Sequence, residues 1–529
     1  RLEFVRPVQW LVCLYGSSII PIQLLGKKAS NTSSGHRFMS GGQFEITSAN
    51  DYVELCRKNY VLADFTERKN LIREQVVKLA TQEKSHLEVD EDLLNEVTSL
   101  VEWPRALAGG FDSSFLSVPP EALVSAMKEH QRYFHLMDNN GKLVPRFITI
   151  SNIESLDSSQ VVAGNERVIR PRLADAAFFF EQDTRTSLEE KFTRLENVVF
   201  QADLGTYAEK CHRIASLAAY IAVQLGSDNE SAKRAGKLCK ADLVSDMVGE
   251  FPDLQGTMGS YYARHDNEAE EVCVAIAQHY RPTQSGGILP DSDVASCVAL
   301  ADKIDSLIGI FGINQPPTGS RDPFALRRQS LGVIRICVEN QLDIPLNDCL
   351  SEACRLYGRG FETANVSNYI VERLTSYYQE QGIPGDVVDA AINNSSTSVN
   401  LLGIDDVVRT LQSFRNGPAA RSIIAANKRV TNFLKKAGPS DLASSFDATV
   451  ATNEAEIELG RALTELDLSK SKGAGAKLEK LAVLQEPIDH FFDEVMVMAE
   501  DESVRKNRLG LLQKLRQQFL EVADFSLLQ

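Results

Sequence analysis

The sequence lacks the patterns that mark several large classes of protein. No run of about 18 apolar residues occurs, which excludes a transmembrane helix. None of the nine cysteines forms a CxxC pair, so zinc-ribbon and thioredoxin-like sites have no support. The phosphate-binding loops GxxxxGKS/T and GxGxxG and the hydrolase elbow GxSxG are also missing. We therefore expect no P-loop, Rossmann or α/β-hydrolase site.

The charge balance is acidic but not extreme. The 529 residues include 56 Lys and Arg against 72 Asp and Glu, with a net charge of −16, 43% hydrophobic residues and 24% charged ones. This mix is typical of soluble globular proteins and argues against disorder. The excess of acid argues against blanket coating of nucleic acid, although local basic patches remain compatible with specific binding. At roughly 150 residues per domain, the length suggests about three or four domains.

The cysteines and the first residues bear on the compartment. Most cysteines lie in apolar segments, where a free thiol behaves as a small hydrophobe, and this usage indicates a reducing, intracellular compartment. The chain opens at Arg1 in place of Met, and we expect an N-terminal portion to be missing.

Periodicity predicts a multidomain α+β protein. Residues 1 to about 60 are β-rich, with a loop at 30–35. Helices are expected at 66–84 and 90–103, a strand at 142–153, and a helix that starts near Pro171. From about residue 195 the pattern is almost continuously helical, with Ile214, Leu217, Ala218 and Ile221 on one apolar stripe. Asp322 is expected to be the N-cap of a later helix. A mixed linker is expected near "INNSSTSVN" and a loop at "SKSKGAGAK". We expect four segments: a mixed α/β region at 1–194, a mostly helical region at 195–340, a helical linker at 341–400 and a helical region at 401–529.

The second segment resembles the helical phosphohydrolase fold named after its His…His-Asp…Asp metal ligands. The sequence contains one His-Asp doublet, His265-Asp266, but the doublet's place is better matched by Ala241-Asp242. Ala241 has no lone pair to offer a metal. The remaining vestigial ligand candidates are His212, Asp242 and, in an "ADK" stretch, Asp302. We expect a degenerate site and no metal.

Several basic clusters interrupt the acidic average. They lie at Arg321, Arg327, Arg328 and Arg335; at Lys428, Arg429, Lys435 and Lys436; and at Arg505, Lys506, Arg508, Lys514 and Arg516. Arg167, Arg170 and Arg172 are expected to form a further basic loop. Such clusters bind phosphates or, alternatively, form solvated helix faces paired with Asp and Glu.

Several stretches resemble, in order along the chain, the beta chain of the bacterial-type heterotetrameric glycyl-tRNA synthetase. They also resemble the beta-like C-terminal part of the plant organellar alpha–beta fusion. The stretches are "GHRFM", "NERVIRPRLADAAFFFEQD", "LGTYAEKCHRI", "VGEFPDLQGTMGSYYARHD", "ADKIDSLIGIFGINQPPTGSRDPFALRR" and "MVMAEDESVRKNRLGLLQKL".

The resemblance implies an enzyme that attaches glycine to its tRNA using ATP and Mg²⁺, both bound by the alpha chain, with no cofactor in this chain. This chain would bind tRNA and support assembly, and it would carry no catalytic residue. Its 1–194 segment would be a tRNA-handling region like that of the phenylalanine enzyme's beta chain. Its 195–340 segment would be HD-like, and 401–529 would resemble the anticodon-binding domain of the arginine enzyme. The implied tRNA-binding candidates are Arg327, Arg328, Lys428, Arg429, Arg505, Lys506 and Arg508, although Arg327 and Arg328 fit a structural role as well.

The implied partners are the alpha chain, separate or fused, and glycine tRNA. The expected assembly is alpha2-beta2 or a fusion dimer, without a membrane. The expected compartment is the cytoplasm of a bacterium, or a chloroplast or mitochondrion of a eukaryote. Two alternatives stay open: an HD-type metal-dependent phosphohydrolase and a non-catalytic scaffold.

Overall fold

The computed structural model describes residues 8–393, 400–415, 417, 420–437 and 445–528. It divides into two compact units. Unit 1 comprises Arg1–Thr186 and Leu243–Gln255, and unit 2 comprises Ser187–Asp242 and Gly256–Gln529.

Unit 1 begins with short strands, as predicted. They are β1 Leu11–Val12, β2 Leu14–Tyr15, β3 Ser18–Ile19, β4 Gln23–Leu24, β5 Lys27–Ser30, β6 Thr32–Ser34 and β7 Gln43–Glu45. Strand β5 lies between β1 and β4, while β2 pairs with β3 and β6 with β7. The loop expected at 30–35 is wrong, because Ser30 ends β5 and β6 occupies residues 32–34. Its Thr and Ser residues favour a loop locally, but antiparallel pairing with the following strand β7 makes them a strand.

The rest of unit 1 packs helices on a three-stranded sheet. The elements are α1 Tyr52–Lys58, α2 Phe65–Gln82, α3 Glu91–Leu100, β8 Arg105–Gly110, α4 Pro120–Ser125, β9 Phe134–Met137, β10 Leu143–Ser151 and α5 Ser158–Asp183. The antiparallel sheet has the order β8-β10-β9. Helices α2 and α3 begin at the aspartate caps Asp64 and Asp90 and bury Ile72 and Leu94 against Phe134 of the sheet. Both helices and the strand β10 agree with the prediction.

Helix α5 starts thirteen residues earlier than expected. Asp157 accepts a hydrogen bond from the Ser159 amide and caps the helix, so Pro171 lies inside it. The basic loop expected at Arg167, Arg170 and Arg172 is therefore wrong, since all three are helical. Proline favours the first turn of a helix, which is why the sequence predicted a start near Pro171. The Asp157 cap starts the helix earlier and leaves Pro171 in its interior.

Unit 2 is almost entirely helical. Its first elements are α6 Leu188–Arg194, β11 Val199–Gln201, β12 Gly205–Thr206, α7 Tyr207–Leu225 and α8 Asn229–Leu238. The chain then enters unit 1 for α9 Asp246–Glu250. The remaining helices are α10 Thr257–His265, α11 Glu270–Gln278, α12 Asp293–Gly312, α13 Leu326–Glu339, α14 Leu346–Tyr357, α15 Ala364–Glu380, α16 Gly385–Ile392, α17 Leu401–Phe414, α18 Ala420–Lys436, α19 Glu454–Glu465, α20 Gly473–Ala482, α21 Gln485–Glu494 and α22 Glu502–Leu520.

Helix α12 is the centre of the first helical group in unit 2. Residues 294–310 of α12 are all buried, and α7, α8, α11, α13 and α14 pack around it. Helix α7 contributes the predicted stripe that includes Ile214, Leu217 and Ile221, each fully buried. A charged side chain on a helix that is buried on every side needs a partner of opposite charge inside the protein. Asp302 on α12 is such a side chain.

Two local predictions in unit 2 are wrong at their boundaries. Asp322 was expected to be the N-cap of α13, but the helix begins at Leu326, and the Asp322 carboxylate accepts the Leu326 and Arg327 amides at 2.8 and 3.0 Å. The "SKSKGAGAK" stretch was expected to be a loop, but α20 starts inside it. Asp406 accepts the Ala474 amide at 2.7 Å and caps α20 from 68 residues away.

The linker predicted around "INNSSTSVN" lies largely outside the described residues, which omit 394–399. Within the described part of the chain, no helix combines the length and apolar character that crossing a bilayer requires.

Candidate functional site

Helix α18 presents one strongly basic face. Its 17 residues include five cations and no Asp or Glu. The side of α18 that packs against the rest of unit 2 buries Ile423, Ala426 and Val430, which recur at helical spacing. All five cations are exposed on the other side, and they are Arg421, Lys428, Arg429, Lys435 and Lys436. Arg421, Lys428 and Lys435 are seven residues apart and so follow one line along the helix.

The α18 cations have no acidic partners among the described residues. Within that part of the chain, no carboxylate oxygen lies within 4.0 Å of any of the five. Arg429 contacts an aromatic ring instead, since its guanidinium carbon lies 5.7 Å from the centroid of Phe492 on α21. Phe492 also stacks on Phe433 of α18. The charge on this face is therefore open to an external anion.

Arg508 on α22, a predicted tRNA contact, lies in the core. Its side chain is 9% exposed and pairs with the fully buried Glu456, at 2.7 Å from Nη2 to Oε1. Nη1 donates to the Met496 carbonyl and Nη2 also donates to the Thr452 hydroxyl. All three guanidinium nitrogens have protein partners. This burial gives Arg508 a structural role and leaves it no access to RNA.

The other α22 cations also have protein partners. Arg505 donates to the Ala499 carbonyl at 3.1 Å, and Lys506 pairs with Glu502 one turn before it at 2.7 Å. Lys514 donates to the Thr464 hydroxyl, and Arg516 pairs with Asp524 at 3.0 Å. The cations of α22 are therefore engaged mostly in contacts within the protein.

Arg327 and Arg328 close loops beside α13. Arg327 donates to the Gly319 carbonyl, and Arg328 donates to the Thr283 carbonyl at 2.9 Å. Arg335, farther along α13, forms a two-point pair with Glu339. The structure does not bring Arg327 and Arg328 together with the α18 cations in one element. The sequence allowed either RNA contact or a structural role for Arg327 and Arg328, and these hydrogen bonds to backbone carbonyls favour the structural role.

Two lysine ammonium groups form ion pairs with the carboxylate oxygens of Asp302. Lys210 lies 3.0 Å from Asp302 Oδ1, and Lys240 lies 2.7 Å from Oδ2. Lys210 also pairs with Asp305, which in turn binds Arg213. Burial by itself would raise the pKa of Asp302, but Lys210 and Lys240 hold that pKa well below its usual range. The carboxylate is therefore ionised and already neutralised.

The other vestigial ligands do not converge on Asp302. Asp242 is fully buried, and its Oδ2 accepts the amides of Gly256 and Gly259 at 2.5 and 3.0 Å. Burial raises the pKa of Asp242 to about 6, although these amides favour the charged form. His212 is exposed and lies edge-on to Phe192. Among the described residues, no group of three or more His, Cys, Asp or Glu is arranged to hold a metal ion.

The residues present do not fit a divalent metal. Both oxygens of the candidate ligand Asp302 already pair with lysines, and Ala241 has no lone pair for a metal. The third candidate, His212, lies at the surface. Sequence reasoning missed Lys210 and Lys240. The signal was present for Lys240, which directly precedes Ala241-Asp242 in the sequence. It also passed over Arg421, because a single basic residue at the start of α18 forms no cluster.

Comparison with known proteins identifies both parts of the chain. A family model described as "DALR anticodon binding domain" matches residues 423–524, a range that includes most of α18 and all of α22. This region is an anticodon-binding domain of the kind found in aminoacyl-tRNA synthetases. A second model, "Glycyl-tRNA synthetase beta subunit", matches residues 1–393.

Curated relatives agree over the whole chain. The "Glycine--tRNA ligase beta subunit" of Hahella chejuensis is 47% identical over 539 residues, that of Colwellia psychrerythraea 46% over 538, and that of Pseudomonas aeruginosa 45% over 540. Each alignment covers 100% of this chain and 78% of the relative. The chain belongs to the glycyl-tRNA synthetase beta subunit family, and so it is a component of an aminoacyl-tRNA synthetase that carries an anticodon-binding domain.

Proposed function

We propose that this chain holds glycine tRNA through the basic face of α18 and presents it to a separate adenylate-forming site. The observation that carries the proposal is the set of five exposed α18 cations without carboxylate partners, inside the region that matches an anticodon-binding domain. Of the seven tRNA-binding candidates, Lys428, Arg429 and Arg328 are exposed, and Arg328 already donates to the Thr283 carbonyl. Lys435, Lys436 and Arg421 extend the same face.

The physical basis is phosphate binding with release of counterions. Exposed Lys and Arg on one helix face suit phosphate contacts that position an RNA, while unpaired bases supply the sequence readout. Binding energy gathered far from the reacting atoms can orient the acceptor end of the tRNA at a site elsewhere. In such a division of labour the beta chain needs no catalytic residue of its own.

The proposed partner is the alpha chain, separate or fused, which would bind ATP, Mg²⁺ and glycine. The name "beta subunit" in the relatives supports an alpha partner, and an alpha2-beta2 assembly or fusion dimer is our proposal for its form. We keep the four segments 1–194, 195–340, 341–400 and 401–529 as the proposed domains. The nine free cysteines support a reducing compartment inside a cell.

The test is tRNA binding by Lys428→Ala/Lys435→Ala/Lys436→Ala as a function of salt, in the complex with the alpha chain. Each lost phosphate contact lowers the slope of log affinity against log salt by about 0.7–0.9, so a total loss of about 2–3 is expected. Thermal stability and glycyl-adenylate formation should stay unchanged.

The matched control is Lys28→Ala/Lys142→Ala/Lys233→Ala, which removes three exposed lysines outside the anticodon-binding match. It should leave the salt slope near that of the unmodified protein. Equal loss of slope in the two triple variants would show that α18 has no special role. Stoichiometric transition metal together with nucleotide hydrolysis would instead favour the phosphohydrolase.

A further inference from the structure

A tightly built turn in unit 1 displays an arginine and a phenylalanine. The turn is the "GHRFM" stretch, residues 35–39, between β6 and β7. Only glycine fits its first position, because a Cβ on Gly35 would lie 2.4 Å from Ser40 Oγ and 2.8 Å from Asn59 Cβ. We call residues 35–39 the GHRFM turn.

The buried side chain of His36 holds the turn in place. Its ring is buried at 2% exposure, and its Nε2 donates to the Asn152 carbonyl at 2.6 Å, 116 residues away in sequence. The ring Nδ1 accepts the Phe38 amide at 3.3 Å, so both contacts are satisfied by the neutral tautomer with the proton on Nε2. The His36 carbonyl accepts both the amide and the hydroxyl of Ser40. A turn held at so many points has little freedom.

The rigid turn leaves its two tip residues in solvent. Phe38 is 74% exposed, and the guanidinium carbon of Arg37 lies 5.5 Å from the centroid of its ring. Within the described ranges, no carboxylate oxygen lies within 4.0 Å of Arg37. An open aromatic ring beside an uncompensated cation suits a nucleotide, whose base stacks on the ring and whose phosphate meets the cation.

We propose that the GHRFM turn binds the unpaired 3′ end of the tRNA, with Phe38 stacked on a base and Arg37 on a neighbouring phosphate. The inference rests on the proposed function, because it takes tRNA as the ligand. Stacking requires unpaired bases, and a tRNA has a free single strand at its 3′ terminus. Unpaired bases also occur in the loops of a tRNA, and the proposed function assigns those of the anticodon to the region 423–524 of unit 2. For the turn in unit 1 we choose the 3′ end, because it is single-stranded throughout and so leaves both a base and its neighbouring phosphate open to contact.

The test compares two RNAs against the complex of this chain with the alpha chain. One RNA is intact glycine tRNA, and the other is the same tRNA without its unpaired 3′-terminal nucleotides. Phe38→Ala is expected to weaken binding of the intact tRNA by about 5- to 100-fold, the effect of losing one stacked base, and to leave the shortened tRNA unaffected. Phe38→Trp should retain the affinity. Arg37→Ala should lower the salt slope by about 0.7 with the intact tRNA alone.

Tyr15→Ala is the matched control, because Tyr15 is an 82% exposed aromatic residue of the same unit. It should bind both RNAs as the unmodified chain does. An equal loss by Phe38→Ala on both RNAs, or a loss on neither, would overturn the proposal. Release of the alpha chain with tRNA affinity preserved would also overturn it, since the turn would then be a protein interface.

The α18 triple-lysine variant separates this proposal from the proposed function. It should weaken both RNAs equally, because α18 would contact a part of the tRNA that they share. Failure of that variant with success of Phe38→Ala would remove the α18 assignment and leave the turn assignment standing. The reverse result would remove only the turn.

Discussion

Helices α18 and α22 carry the same number of basic residues and use them in opposite ways. Each has five Lys and Arg, and both belong to the anticodon-binding region. On α18 all five are exposed, and in the described residues none has a carboxylate partner. On α22 all five have partners, which are Glu502 of the same helix, Glu456 and Asp524 outside it, and backbone or hydroxyl oxygens.

The contrast shows that a basic cluster is informative only when its partners are known. Helix α22 begins beside acidic residues and packs against other segments, so each of its cations has an ion-pair or hydrogen-bond partner within the protein. Helix α18 has no Asp or Glu of its own and faces solvent. The buried lysines beside Asp302 extend the α22 pattern, since both pair with carboxylates inside the protein. The following variants test these assignments, beginning with the largest expected effect.

Arg508→Met should destabilise the protein more than any other single change on the two helices. It would leave the fully buried Glu456 without its partner, and breaking a buried pair in this way costs about 3–5 kcal/mol. Urea denaturation of this variant measures the loss, and Arg508→Met/Glu456→Gln should recover part of it. A fully stable Arg508→Met variant that binds tRNA weakly would instead make Arg508 an RNA contact and erase the contrast.

Asp302→Asn should also be strongly destabilising, by up to about 3–5 kcal/mol, because Lys240 and Lys210 would lose a shared carboxylate in the interior. Lys240→Met in the same chain should recover part of the loss. A double-mutant cycle with urea denaturation gives the coupling, expected at about 1–3 kcal/mol. No coupling, or stoichiometric metal bound to the unmodified protein, would contradict a site filled by lysines.

The surface pair of His490 and Glu458 should give the smallest effect. Their hydrogen bond raises the pKa of His490, and the pair joins α21 to α19 at the surface, where each side chain is about half exposed. A raised pKa in the folded state stabilises the protein below the unfolded value of about 6.5, and this contribution is lost as pH rises through the folded pKa. His490→Gln should therefore flatten the stability profile slightly just above pH 6.5. A large change would show that surface pairs matter here as much as buried ones.

Sequence reasoning succeeded where local signals decided the structure. The stripe on α7, the strand β10 and the α+β class followed from periodicity alone, and the family followed from long specific motifs. It failed where a partner outside the local segment decided the structure. Asp406 turned a predicted loop into the start of α20, and β7 turned another into β6.

The candidate site shows the same division. That α18 is basic is visible in the sequence, and so is its lack of acidic residues. That Arg508 is buried depends on Glu456, 52 residues earlier, and the filling of the metal site depends on Lys210, 92 residues before Asp302. No local pattern encodes such pairings, because they arise only when helices meet.

Lysine labelling with and without glycine tRNA tests the central contrast most directly. An amine-reactive reagent followed by mass spectrometry reads each lysine separately in the complex with the alpha chain. We predict that tRNA protects Lys428, Lys435 and Lys436 on α18 and leaves the reactivity of Lys506 and Lys514 on α22 unchanged. Protection of the α22 lysines with the α18 lysines still reactive would contradict the account.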